Sequence, residues 1–293
     1  MNYPSFLTKY IHKDISVFDR RLYPDFRPSN KTYIYESIVF LHEVHYFTDL
    51  TKIFELGDAI DSNMYHVFFY MIARLYYIDD GKNDVIFYYP KTNNYIIESA
   101  IDNLPLRFKR IITKDNTYEY VELPGCNWYF DTIGEDWMYS YVRNLYQPIW
   151  EIIPKQKKKR IYISRKNALY RKVLNEELLI PHLKSLGFSI YNLENLTFID
   201  QIQLFASAEF IIGPHGAGLS HIIFTNNPVI IEINSVKVSD STSDGKNHYY
   251  DIAFKMNLTY YRFVDFTKEN NNYIIDINNF VNIIQMLINT HNL

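Results

Sequence analysis

Along the second half of this chain, short apolar runs alternate with stretches of helical spacing. Ile161 to Ser164, Phe188 to Tyr191, Glu209 to Ile212, Val229 to Ile233 and Tyr260 to Val264 are β-branched and aromatic runs of strand length. Between them, Leu174 to Leu186 (ended by Gly187), Phe198 to Ser207, Gly218 to Phe224 and His248 to Met256 carry the period of a helix, and Ile274 to Ile288 predicts a last one. Strands alternating with helices at this spacing predict βαβ units on a mostly parallel sheet with right-handed crossovers. Such sheets bind ligands beyond the carboxyl ends of their strands, and the loops there are the ones to inspect.

The first half has the same character with weaker rhythm. Tyr33 to Phe40, Val85 to Tyr89 and Phe108 to Ile112 predict strands, with an irregular stretch from Leu41 to His45 and a turn at Pro124-Gly125. Met64, Val67, Phe68, Met71, Ile72 and Leu75 recur at helical spacing, which predicts one long buried helix from Asp58 to Tyr77 with Asp61 or Ser62 as its N-cap. Asn94 to Ile101 and Gly134 to Trp150 predict further helices. The run Pro154-Lys155-Gln156-Lys157-Lys158-Lys159-Arg160 is abruptly polar and basic and reads as an interdomain linker. The predicted division is therefore an N-terminal α/β domain over 1–153, a linker over 154–160, a C-terminal domain over 161–270 and a last helix over 271–293.

Length and composition fit that division: 293 residues suit two domains, and 47% apolar against 22% charged residues is ordinary for a globular protein. With 30 basic and 33 acidic residues the net charge is −3, so no global field favours polyanions, and nucleic acid is not an expected partner. Cys126 is the only cysteine, so no intrachain disulfide forms. No run approaches the ~20 apolar residues of a membrane span, and the first thirty residues do not read as a signal peptide. The expectation is a cytoplasmic protein that meets membranes only peripherally. The abundant tyrosines (27) fit an AT-biased genome as well as they fit sugar-stacking platforms.

The strongest chemical signal is Gly213-Pro214-His215-Gly216-Ala217-Gly218-Leu219, a glycine-rich turn between a predicted strand and a predicted helix. Backbone N–H groups and a positive helix terminus suit such a place to anions, and glycines admit phosphates close to the backbone. His215 can donate to a pyrophosphate oxygen. The alternative is that the glycines serve close packing and His215 is a capping or core residue. Arg165 lies at the equivalent strand end one unit earlier, and Arg171 follows six residues later. Two guanidinium groups there suit a pyrophosphate, although each taken singly reads as a solvated surface arginine. Glu232 ends the next strand, where a carboxylate accepts from ribose hydroxyls or forms a strand-end salt bridge.

In the first half, Asn63-Met64-Tyr65-His66 opens the long helix and Arg74 lies two turns on. His66 is a candidate general base or acceptor ligand, or a structural histidine. The chain contains no Asp-x-Asp, no Gly-x-Ser-x-Gly elbow, no Gly-Lys-Ser/Thr loop and no metal-ligand spacing of His, Cys and carboxylates.

Tyr162-Ile163-Ser164-Arg165, Arg171, Asn175-Glu176, Gln201 to Ala208, Ile211 to Leu219, Phe224 and Glu232-Ile233, in this order and spacing, resemble glycosyltransferase family 61. The N-terminal half matches less closely, through Asn63 to His66 with Arg74, and Asn247 to Tyr261 is similar to the segment closing the family's donor domain. The resemblance implies a GT-B fold, two facing Rossmann-like domains with the last helix packing back on the N-domain. It also implies inverting, metal-independent sugar transfer with no cofactor beyond the nucleotide-sugar, from UDP-activated N-acetylglucosamine or xylose to a glycan or protein hydroxyl. By that analogy Arg165, Arg171, Gly213, His215, Gly216, Ala217, Gly218 and Glu232 bind the donor. Asn63, Arg74 and Glu43 lie on the acceptor side, and His66 is the first candidate for the base, ahead of Asp61, Asp58 and Glu43. Relatives often carry a carboxylate four residues after the histidine, where this chain has Tyr70. That departure keeps a second reading open, a non-catalytic module that binds a nucleotide-sugar or glycan. The sequence is silent on oligomeric state.

Overall fold

A computed structural model describes residues 7–10, 52–56, 63–79, 81–122, 136–152, 158–234 and 248–293. The chain divides into two compact units, one of Ser16–Gln147 and the other of Met1–Ile15 with Pro148–Leu293. The predicted strand at Tyr33 to Phe40, the stretch Leu41 to His45, the turn at Pro124-Gly125, Asp58, Asp61, Ser62, Glu43 and most of the 154–160 linker lie outside the described residues. Strand β1 (Leu7–Tyr10), which the apolar pattern did not reveal, pairs in the sheet of the C-terminal unit.

The N-terminal unit contains a four-stranded, all-parallel sheet. β2 (Lys52–Glu55) pairs with both β3 (Val85–Tyr88) and β5 (Glu119–Glu122), and β3 pairs with β4 (Phe108–Ile111). The Tyr95–Asp102 helix connects β3 to β4, its first amides held by the side chain of Asn94. The single long α-helix expected from Asp58 to Tyr77 is a composite among the described residues: an α turn (Met64–His66), a π-helical stretch (Val67–Met71) and a 3-10 stretch (Ile72–Ile78). Its N-cap is Asn63, whose side chain accepts from the His66 amide, and not Asp61 or Ser62. Val67, Phe68, Phe69, Met71, Ile72 and Ala73 are all fully buried, so packing on several sides overrides the one-sided period that predicts a regular helix.

The C-terminal unit is built on a six-stranded sheet. Its strands are β6 (Lys159–Ile163), β7 (Phe188–Tyr191), β8 (Ala208–Pro214), β9 (Val229–Ile233) and β10 (Thr259–Phe263), in the order β1-β10-β9-β8-β6-β7. All neighbours are parallel except β1, which runs antiparallel to β10. The Glu176–Ser185 and Ile277–His291 helices pack together, while the Phe198–Ala206 and His248–Lys255 helices both pack on the Ala217–Phe224 3-10 helix. Taken from β6, the parallel strands follow the doubly wound order 2-1-3-4-5, whose topological switch point lies between the first and third strands. Here those are β6 and β8.

Two features depart from the sequence reading. The basic run is not linker to its end: Lys159 and Arg160 begin β6, and Arg160 donates to Glu209 (3.2 Å) and to the Leu186 carbonyl (2.7 Å). β11 (Phe266–Glu269) and β12 (Asn272–Ile275) form a hairpin where a loop and a helix start were expected. Its two-residue turn, Asn270-Asn271, has φ of 47° and 61°, as a type I′ hairpin requires and as asparagine tolerates. The last helix buries an apolar face (Phe280, Ile283, Ile284, Leu287) against Tyr162, Phe263 and other core residues of its own unit. Four apolar side chains on one face have that core as their partner.

Candidate functional site

The switch point brings the end of β6 and the loop after β8 together. Glu176 anchors the β6 end: buried in the first turn of its helix, its carboxylate accepts from the Tyr162 hydroxyl (2.8 Å) and the Ser164 hydroxyl (2.7 Å). Arg165 follows at once. Its guanidinium lies over the α-carbon of Gly216, where a Cβ would stand 1.9 Å from Nη1 and 2.7 Å from Cζ. Gly218 is similarly required by a neighbour, since a Cβ there would meet Leu193 Cδ1 at 2.5 Å. The close approaches at these two glycines are thus made by protein side chains, and one of them presents Arg165 beside the loop.

The segment carrying Arg171 is held from outside. The Arg171 amide donates to the Asn271 carbonyl (2.8 Å), the Lys172 amide to Asn272 Oδ1 (3.0 Å), and Asn175 exchanges two hydrogen bonds with the backbone of Ile275 (2.7 and 3.1 Å). Arg171 itself is left-handed, with φ of 61°, a conformation a non-glycine residue keeps only when its surroundings impose it. Its guanidinium sits 4.9 Å from the Tyr170 ring centroid. The unpredicted β11–β12 hairpin is therefore what sets the second arginine.

Burial and the nearby Arg171 both push the Arg165 pKa down, as expected of two cations sharing a site. Among the described residues neither arginine meets a carboxylate within ion-pair distance, and Arg165 Nε is buried without a hydrogen-bond partner. Two tyrosines complete this end. Burial raises the Tyr249 phenol, and it pushes Tyr273 up to about 12 against the opposite pull of Arg171 and Arg165.

The loop after β8 is a continuation of the ladder, with the His215 amide donating to the Ile233 carbonyl (2.9 Å). The 3-10 helix begins with Leu219 N–H donating to Gly216 O (2.9 Å), so the amides of Gly216, Ala217 and Gly218 precede it without acceptors among the described residues. It is a 3-10 helix throughout, with His221 and its apolar neighbours fully buried along it. His221 is a core residue: burial lowers it to about 4, its Nδ1 meets the Gly218 carbonyl at 3.0 Å, and its ring stacks on Phe205.

Glu232 departs furthest from expectation. It is fully buried, and both oxygens are occupied: Oε1 accepts from His215 Nδ1 and Asn234 Nδ2 (3.3 Å), and Oε2 from the Tyr260 hydroxyl and Arg262 Nε (2.9 Å). Burial by itself raises its pKa, but Arg262 and His215 outweigh burial and hold the carboxyl at about 2. Both oxygens thus have their acceptor directions filled within the protein. The strand-end salt bridge is what the structure shows, made with Arg262 at the paired register position on β10. Asn234, Tyr249, Tyr260, Arg262 and Tyr273 were not read from the sequence. Arg262, a lone cation in an apolar strand, was the one available signal.

In the N-terminal unit, His66 is buried, its Nδ1 lies 3.2 Å from Asn63 Nδ2, and its ring stacks on Tyr70 at 4.8 Å between centroids. Arg74 is buried farther along the same helical run. Glu43 and Asp61 lie outside the described residues.

The family model described as Glycosyltransferase 61 matches residues 44–231, more than half of the chain. The chain belongs to glycosyltransferase family 61. Over 76 residues this family 61 chain is 37% identical to the EGF domain-specific O-linked N-acetylglucosamine transferase of Mus musculus, a match covering 24% of this chain and 14% of that protein. The protein of the same name from Drosophila melanogaster is 39% identical over 77 residues, 25% of this chain and 15% of that one. The chain thus spans about one seventh of the length of the curated relatives it matches.

Proposed function

We propose that this family 61 chain transfers a sugar from a nucleotide-sugar to a hydroxyl of a glycan or protein, and that the switch point of the C-terminal unit holds the donor's diphosphate. One observation carries the reading. Arg165 and Arg171 share the carboxyl ends of the strands at the switch point, uncompensated by any carboxylate among the described residues, beside three free loop amides. Uncompensated guanidinium groups and backbone N–H donors are the complement of a diphosphate. UDP-N-acetylglucosamine is the first donor to test, because the relatives are named for N-acetylglucosamine transfer. UDP-xylose is the second.

The proposed step is an in-line displacement with inversion. The acceptor oxygen bonds to the anomeric carbon as the bond from that carbon to the diphosphate oxygen breaks, and a base takes the hydroxyl proton. The departing charge falls on Arg165, Arg171, His215 and the loop amides, with no metal required. His66 is the first candidate for the base, with Asp61, Asp58 and Glu43 behind it, and a GT-B pairing of the two units belongs to the same proposal. The stacking of Tyr70 on His66 also favours the second reading, a non-catalytic nucleotide-sugar-binding module.

The test is thermal denaturation with UDP, GDP, CDP and their sugars, with and without EDTA, followed by assays of sugar transfer. A nucleotide that binds only the folded protein raises Tm. No response to any of them overturns the donor site, a strict need for a divalent ion overturns the metal-free step, and binding without transfer to any acceptor leaves the binding module.

A further inference from the structure

We infer that Glu232 is a positioning residue: held by Tyr260, Arg262 and Asn234, it accepts a hydrogen bond from His215 Nδ1–H, so that Nε2 can take a second proton from solvent and donate it, from an imidazolium, in a hydrogen bond to the departing diphosphate. This rests on the donor-site reading above and assigns Glu232 a part in it other than sugar binding.

Four donors surround the carboxylate: His215 on the loop after β8, Asn234 just past β9, and Tyr260 and Arg262 on β10. An ionised carboxylate only accepts, so the ring nitrogen facing it must carry the proton. Asn234 Nδ2 stands 3.1 Å from the same Nδ1, but a protonated Nδ1 cannot accept from it, so the Asn234 amide donates to Glu232 Oε1 (3.3 Å) instead. The ring is fixed on its other side by Tyr249, 5.0 Å away between centroids, and His215 Nε2 meets no partner among the described residues. Carboxylates behind histidines set tautomer and orientation in this way at metal and hydrolase sites. Pairing with Arg262 across the β9–β10 register keeps the carboxylate charged although it is fully buried.

The test begins with the unaltered protein carrying 15N-labelled histidine, with His215 assigned by comparison with His215→Gln. Long-range 1H–15N spectra should show Nδ1 protonated, and saturating UDP should move the Nε2 resonance far more than Nδ1. A His215 ring with a bare Nδ1 overturns the inference. So does binding of UDP, seen by calorimetry, that leaves Nε2 unmoved, and in that case the donor site still stands. Absence of binding of UDP, GDP and CDP overturns the donor site and this inference with it. In turnover assays Glu232→Gln should lower kcat by about 10- to 100-fold with KM within about twofold, and Glu232→Asp should recover part of it. Equal losses from Glu232→Gln and Glu232→Asp, in proportion to lost folded protein, would reduce Glu232 to a core ion pair.

Discussion

Gly216→Ala separates binding from folding at the proposed donor site. The φ of Gly216 is 170°, extended backbone that any residue adopts, so alanine brings no backbone strain. Its Cβ would stand 1.9 Å from Arg165 Nη1, 2.7 Å from Cζ and 3.3 Å from Nε, and the guanidinium must leave. That group ends a flexible side chain whose printed hydrogen bond, to the Tyr170 carbonyl, is a long 3.4 Å, so displacing it costs the fold little. Alanine also narrows the unfolded ensemble, worth about 0.4–1 kcal/mol in favour of folding. Tm should therefore hold or rise. Binding should suffer, because a hydrogen bond to a charged group contributes about 1.5–3 kcal/mol, or roughly 10- to 100-fold in Kd at 1.4 kcal/mol per decade. Calorimetric titration of UDP into the parent, Gly216→Ala, Arg165→Ala and the double variant makes the assay a cycle. If alanine acts by evicting Arg165, the double variant binds no more weakly than Arg165→Ala. Additive losses would mean that the glycine serves the ligand directly, and unchanged affinity in Gly216→Ala would remove Arg165 from the site.

Glu232, held at about 2 against an ordinary 4.5, supports folding fully above pH 4.5 and loses that support as pH falls toward 2; Tm against pH should drop across this window, and the drop should shrink in Glu232→Gln. At pH 7 the same variant leaves Arg262 buried without its counter-charge, so urea denaturation should show a loss of about 3–5 kcal/mol. His221, lowered from 6.5 to about 4, supports folding above pH 6.5 and loses that support between pH 6.5 and 4, a fall that His221→Phe should remove in the same scan. Glu176→Ala takes the acceptor from two buried hydroxyls, Tyr162 and Ser164, and should destabilise the C-terminal unit by about 2–4 kcal/mol in urea.

The last two strands of the proposed site show where sequence reading stopped. Val229 to Ile233 was legible because a parallel strand buried at every position reads as a nearly continuous apolar run. The β11–β12 hairpin was not, because Phe266 to Ile275 mixes charges and asparagines and owes its strands to a turn of left-handed asparagines. The composite helix at Met64 to Ile78 was misread as regular because periodicity reports one buried face, whereas this segment is buried nearly all round.

By itself, the sequence determined the alternation of strands and helices in the C-terminal unit and the family. It also placed Arg165, His215 and the glycines at strand ends, since these depend on local period and on spacing along the chain. Only tertiary structure decided what each one meets. Strand order made β6 and β8 neighbours and so brought Arg165 over Gly216, a hairpin one hundred residues away set Arg171, and the β9–β10 register turned Glu232 from a surface acceptor into a buried anchor for His215. The physical reason is common to all three: hydrogen-bond register and side-chain contact join residues far apart in the chain, and local pattern carries no record of which strand lies beside which.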